Sequence, residues 1–466
     1  MEQRRTTWMP PSPVRRLGTA LVVRDAGPMT PDLLDRSLSP PARTAGLSPR
    51  AGIAGLSPAI VRGLTGIVVA RLSVNGGIRV VYPFLPAIAH GLGVSFEVLA
   101  VLVASRSLAG LAGPVLARTV PADRQRAFMV ASQAMVLVGS LLIASAAIAP
   151  TSLRTMVAGV GFLTTGVARP MFDLPMQTWV SGHVAPADRG RALGVTELGW
   201  ALSLAATVPV AGVLIERIGW HSPFVLVAAM AATGMVALLI AVPADAAGAR
   251  RPALVAAPAD GARARTPLPL RRGVAQRWTS ASMAMCGGAA LAVAAGESVL
   301  VVYGEWLSRD FGMSIVQIGA STLLIVAAEL IGEGLVVTLS DRVGLARTLF
   351  SALLVSATAY GALGMIGGHV TLAVAAIGTL FIAFEVTVVV LIAFASTVVH
   401  RTPERARLLG ALMAAVACGN AAGAVLAPVI FALGGIALSG VAAACTVAVA
   451  AALLWRGAQP NPAYAC

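Results

Sequence analysis

The chain has 466 residues, 57% of them hydrophobic and only 12% charged, whereas a soluble globular chain is about a quarter charged. A water-facing fold of this size cannot hide so much apolar surface, so hydrocarbon is the expected solvent. The formal net charge is +14, and all 34 basic residues are arginine; their placement, set out below, explains the basic character without nucleic acid as a partner.

Residues 1–58 are rich in Arg, Pro and Ser and repeat AGLSP at 45–49 and 54–58. No apolar run follows the early arginines as in a signal peptide, so a disordered cytoplasmic tail is expected. Twelve apolar stretches of spanning length follow, at 62–88, 97–117, 127–149, 153–181, 191–215, 221–243, 279–307, 314–338, 347–367, 370–399, 406–433 and 435–455. The one long internal break is 244–278, rich in Arg, Pro and Ala. The chain therefore divides into a six-helix bundle over 59–243, a cytoplasmic linker over 244–278, a second six-helix bundle over 279–456 and a cytoplasmic tail over 457–466. With both termini inside, inner segments hold 27 arginines and outer loops three, Arg154, Arg217 and Arg309. Such a bias sets orientation and requires an even number of spans.

The halves resemble each other. RGRALG at 189–194 matches RARLLG at 405–410, an offset of 216 residues. GVS at 93–95 matches GMS at 312–314, and Asp123–Arg124 matches Asp341–Arg342, at offsets of 219 and 218. Duplicated halves with a site between them near the midplane are a common transporter plan.

Ionisable residues inside spans are costly and mark function. They are Arg71 and Arg79 in the first span, Arg106 in the second, Arg169 and Asp173 in the fourth, Glu197 in the fifth, Glu297 in the seventh, Glu329 and Glu333 in the eighth and Glu385 in the tenth. Arg71, Asn75, Arg79 and Tyr82 fall within about 80° of arc on one helical face. They form either a cationic stripe on a cavity wall or, for Arg71, a side chain snorkelling to the interface. Pro83 and Pro86 are expected to bend the outer end. Arg169 and Asp173, four apart, can pair within a helix that Pro170 and Pro175 are expected to break. At offsets of 218 and 216, Arg79 corresponds to Glu297 and Arg169 to Glu385. Matched positions thus oppose in sign. The six buried acids exceed the four arginines by two, and a surplus carboxylate in low dielectric favours its protonated form. Glu297, Glu329, Glu333 and Glu385 are the candidate proton carriers; hydrogen bonding between helices is the structural alternative. Glu197, near the inner end, reads as a gate or loop contact.

Trp179, Trp278, Trp306 and Trp455 lie near span ends and read as interface anchors. The cysteines Cys286, Cys418, Cys445 and Cys466 contain no CxxC and read as small buried hydrophobes. The five histidines lie at span ends or in loops with no metal-ligand spacing, so neither metal nor cofactor is expected. Gly419 and Gly423 suit close helix packing.

Several segments resemble the major facilitator superfamily over about residues 60–456. YPFLPAIAHGLGVS at 82–95 resembles the end of that family's first helix, and LSDRVGLAR at 339–347 its loop between helices eight and nine. QTWVSGHVAPADRGRALG at 177–194 and GWHSPF at 219–224 resemble its fourth-to-sixth helix region. The resemblance implies an all-α fold of twelve transmembrane helices in two pseudo-symmetric bundles. Helices 1, 4, 7 and 10 would face a central cavity, with 3, 6, 9 and 12 outermost; the buried charges avoid the latter set. It also implies a cytoplasmic gate at Asp123, Arg124, Asp341 and Arg342. The expected function is secondary transport of a small organic solute by alternating access in the cytoplasmic membrane. Proton coupling and export are expected, as among bacterial drug and metabolite permeases. Substrate contacts are expected from Asn75, Arg79, Tyr82, Arg106, Arg169, Asp173 and Gln177, facing Glu297 and Glu385. Uptake of an organic anion, suggested by the arginines, and a non-transporting receptor or scaffold are the alternatives. No HExxH, GxSxG or Walker motif occurs, so an enzyme is not expected. The expected partners are the solute, protons and the bilayer, with the chain a monomer.

Overall fold

The computed structural model describes residues 56–113, 116, 124–185, 188–244, 279–398 and 402–459. The expected tails and most of the linker lie outside the described residues. Helix α1, Pro58–Arg79, starts where Ser57 accepts from the Ile60 amide, with proline at the first position, where its missing N–H is no loss. A 3-10 turn at Tyr82–Phe84 follows, then α2, Leu85–Leu92. The expected bend at Pro83 and Pro86 is therefore a change of helix type. Next come α3 (Phe96–Ala109), α4 (Gln125–Ser145), α5 (Thr151–His183), α6 (Arg189–Arg217) and α7 (Ser222–Ala241). The second half holds α8 (Ser280–Phe311), α9 (Ile315–Val343), α10 (Leu345–Ala362), α11 (Val370–Val398) and α12 (Thr402–Ala458).

Among the described residues, nine helices are long and apolar enough to cross a membrane. The last divides at Gly434 and Gly435, where the backbone leaves helical geometry, and α3 and α5 complete twelve helical arms in chain order. The repeat has a local physical basis. Gly93 and Gly312 both adopt the left-handed conformation and close a helix. Two residues on, Ser95 and Ser314 both cap the next one by accepting from Val98 and Gln317. The matched GVS and GMS segments are thus the same helix–turn–helix corner.

Within the first half α1 packs on α6 and α7, and α4 on α5. Gln133 of α4, wholly buried, donates to the Ala70 carbonyl at 2.8 Å and accepts from Ser73 at 2.6 Å. In the second half α8 packs on α12, where a methyl on Gly419 would lie 2.2 Å from the Ala290 carbonyl oxygen and one on Gly423 2.4 Å from that of Ala294. The flanks of α4, α7, α10 and the second arm of α12 expose Val138, Leu239, Leu354 and Val449, an apolar girdle suited to lipid.

Three expectations are corrected. Helix α5 runs unbroken through Pro170 and Pro175, as a helix in a membrane bundle tolerates proline. Trp179 and Trp306 are buried rather than anchored at an interface; Trp179 stacks on His183 and Trp306 meets Phe311 edge-on. Trp455 is exposed, and Trp278 lies outside the described residues. Cys418 and Cys445 are exposed on helix flanks and Cys286 is half-buried, since a small side chain on a lipid-facing flank has nothing to cover it.

Candidate functional site

The first-helix stripe is built as the periodicity requires, but protein covers it. Arg71, Asn75, Arg79 and Tyr82 are all buried. Arg71 donates to both carboxylate oxygens of Glu197, each at 3.0 Å, and to the Thr196 carbonyl at 2.6 Å. It does not snorkel, and Glu197 is its partner on α6 rather than a loop contact. Carboxylates on the facing helices give these cations the paired environment that burial demands.

Arg79, two turns along, reaches across the molecule. It donates to Glu329 of α9 and, at 3.0 Å, to the Trp200 carbonyl of α6. Its guanidinium carbon also lies 4.5 Å from the centroid of the Trp200 ring. Tyr82, at the start of the 3-10 turn, donates its hydroxyl to Glu297 of α8 at 2.8 Å. Two polar side chains, one at the end of α1 and one in the 3-10 turn after it, thus join the first half to the second.

Apolar contacts reinforce the same seam. A methyl on Gly304 of α8 would lie 2.3 Å from the Pro83 carbonyl oxygen. The Phe84 ring lies 3.4 Å from the equivalent point on Gly212 of α6 and 3.3 Å from that on Gly319 of α9. All three residues of the 3-10 turn therefore touch the second half. These approaches lie toward the end of the bundle opposite Pro58, here termed the distal end.

Arg106 of α3 has 3% exposure and no carboxylate within ion-pair distance among the described residues. It lies 5.5 Å from the Tyr82 ring centroid and 5.9 Å from that of Phe162, with its Nη2 unpartnered. Asn75 also has an unpartnered amide nitrogen. Arg169 and Asp173 make a loose intrahelical pair at 3.6 Å, and Arg169 lies 5.1 Å from the same Trp200 ring. Gln177, one turn past Asp173, is exposed.

Glu329 is buried with Oε2 unpartnered. Glu333 and Glu385 are half-buried, and neither forms an ion pair among the described residues. The Glu385 side chain lies 3.0 Å from the point a methyl on Gly332 would occupy, which seats it beside α9. Of the expected gate, Arg124 precedes α4 and Arg342 is exposed in the last turn of α9. Asp123 and the Asp341 side chain lie outside the described residues.

Arg79 and Tyr82 therefore meet Glu329 and Glu297 between the halves, Arg106 lies beside Tyr82, and Arg169 lies beside Trp200 of α6. Trp200, Thr196 and Phe84 take part without having been foreseen. The one available signal was Trp200 itself, a tryptophan in mid-span three residues after the in-span acid Glu197.

A model described as the Major Facilitator Superfamily matches residues 67–293. Two crystal structures of a bacterial homolog to the human lysosomal transporter Spinster share the fold. The inward-facing, occupied one has a TM-score of 0.64 at 14% identity, covering 88% of this chain and 100% of that chain. The inward-facing, unoccupied one has a TM-score of 0.65 at 15% identity with the same coverage. No curated protein sequence matches the chain.

Proposed function

We propose that this chain, matched over residues 67–293 by the Major Facilitator Superfamily model, is a proton-coupled secondary transporter of that superfamily, moving a small organic solute by alternating access and exporting it from the cytoplasm. The observation that carries the reading is the pair of side chains by which the end of α1 and the 3-10 turn hold the second half, Arg79 on Glu329 and Tyr82 on Glu297. Each ends on a buried carboxylate, so each bond depends on whether that carboxylate carries a proton. In the deprotonated state the acids hold the distal seam shut and the inner end is free to open. Protonation removes the charge that holds Arg79 and lets the halves rock the other way. Glu333 and Glu385, without ion pairs, supply further places for a proton. The solute binds between Asn75, Arg79, Tyr82, Arg106, Arg169, Asp173 and Gln177 on one side and Glu297 and Glu385 on the other. Asp123, Arg124, Asp341 and Arg342 close the cytoplasmic end. The protein works as a monomer in the cytoplasmic membrane with both termini inside. Export is favoured by the resemblance to bacterial drug and metabolite permeases.

The test is a proteoliposome assay with an imposed pH gradient across a panel of solutes. Flux should follow the gradient and change the internal pH; flux indifferent to it, with no pH change, sinks the coupling. Glu297→Gln and Arg79→Ala should each impair transport in protein that still inserts, and normal kinetics in both would remove the site. A second reading, uptake of an organic anion, rests on Arg106. A buried guanidinium with no acid in ion-pair distance among the described residues and an unpartnered Nη2 is completed by an anionic group. Inward flux of a carboxylate that is lost in Arg106→Gln selects that reading.

A further inference from the structure

Arg79 has attachments of two kinds. The bond to Glu329 crosses between the halves, from α1 to α9. The other two, to the carbonyl and to the ring of Trp200, stay within the first half, between α1 and α6. When the halves part, the first is lost and the others travel with Arg79. A guanidinium already matched by a carboxylate gains less from an aromatic face than one left alone, so the ring matters most after Glu329 has gone. Trp200 also lies within cation–π reach of Arg169, which marks its indole as a surface built to hold guanidinium groups. Its carbonyl is fixed in turn, accepting from Ser203 at 2.6 Å.

We infer that Trp200 is a positioning residue, a cradle that keeps the Arg79 guanidinium charged and in place once its bridge to Glu329 opens. Without the ring, a freed Arg79 stands in low dielectric on a single carbonyl, and the distal-open state becomes less populated. The inference rests on the alternating-access reading.

The experiment uses the full chain in lipid nanodiscs, with its four cysteines replaced. Spin labels go on Ile148 and Met365, which are 90% and 86% exposed in the distal loops of the two halves. The distance distribution gives the ratio of distal-open to distal-shut molecules. Trp200→Leu keeps the carbonyl and removes the ring; the open fraction should fall by about three- to thirtyfold. Trp200→Phe should restore much of it. In an Arg79→Gln background, Trp200→Leu should leave the ratio where Arg79→Gln alone puts it. An unchanged ratio in Trp200→Leu overturns the inference, and so does an equal shift in both backgrounds, because a general packing defect does not need Arg79. If Trp200→Leu does not fold, Trp200→Met takes its place with the same two outcomes. Proteoliposome flux separates the two ideas. The shift without any flux leaves the cradle standing and removes the transport reading; flux with no shift does the reverse.

Discussion

Gly304→Ala puts the distal seam to its simplest test. The added methyl would lie 2.3 Å from the Pro83 carbonyl oxygen and 2.9 Å from its carbon, where a carbon and an oxygen rest about 3.4 Å apart. The overlap is therefore about 1 Å, and both partners are main chain, so no rotamer relieves it. Overpacking of this kind costs about 1–3 kcal/mol. The clash exists only while the 3-10 turn of the first half lies against α8 of the second. It therefore raises the distal-shut state alone and moves the equilibrium toward distal-open by about five- to 150-fold. Labels on Ile148 and Met365 should report a longer mean distance. Two controls fix the meaning. Gly419→Ala meets the Ala290 carbonyl oxygen at 2.2 Å, but inside one half, so it should lower the melting temperature without changing the distance. Gly361→Ala, with nothing within 4 Å of the new methyl, should do neither. If folded Gly304→Ala gives the wild-type distribution, the seam does not control opening.

Arg79→Ala leaves Glu329, whose side chain is 4% exposed, without its cation. Loss of one partner of a buried pair costs about 3–5 kcal/mol, so the distal-open fraction should rise steeply, and the double variant with Glu329→Gln should recover part of it. Tyr82→Phe removes the donor to Glu297 and costs the seam about 1–3 kcal/mol; the pH profile of flux should move, and an unmoved profile separates this bond from coupling. Arg71→Ala should lower the melting temperature clearly more than Glu197→Gln. Arg71 also loses the Thr196 carbonyl, whereas Glu197 is half exposed and its charge contributes about 1 kcal/mol or less. Equal losses would show that the ion pair alone holds Arg71.

The arms, their order and the division into halves were legible because each leaves a pattern along the chain: hydropathy, arginine placement and the repeated Gly–x–Ser corners. The stripe of Arg71, Asn75, Arg79 and Tyr82 was legible as a helical face. Which helix each member would meet was not. Periodicity gives the rotation of a side chain about its own axis, whereas the partner depends on how neighbouring helices tilt and pack. So Arg71 found Glu197, and Arg79 found Glu329 and Trp200, none of which shares a repeat position with it. Pro170 and Pro175 misled for a related reason. Their local penalty is real, but a helix in a membrane bundle tolerates it, and α5 stays continuous.

The opposed signs of the repeat gain a physical role from the seam. Arg79 meets Glu329 rather than its repeat match Glu297, but a second half that kept the arginines of the first would bring like charges to the seam. Here the donors come from the first half, Arg79 and Tyr82, and the acceptors from the second, Glu329 and Glu297. A seam made only of Pro83 against Gly304 and Phe84 against Gly319 would close on shape alone, and a ligand indifferent to shape could not shift it. A ligand moves an equilibrium only by its different affinity for the two states. Carboxylates whose bonds exist in the shut state and vanish in the open one supply that difference to a proton. In the proposed cycle, therefore, the glycine contacts fix where the halves meet, and the two acids fix when.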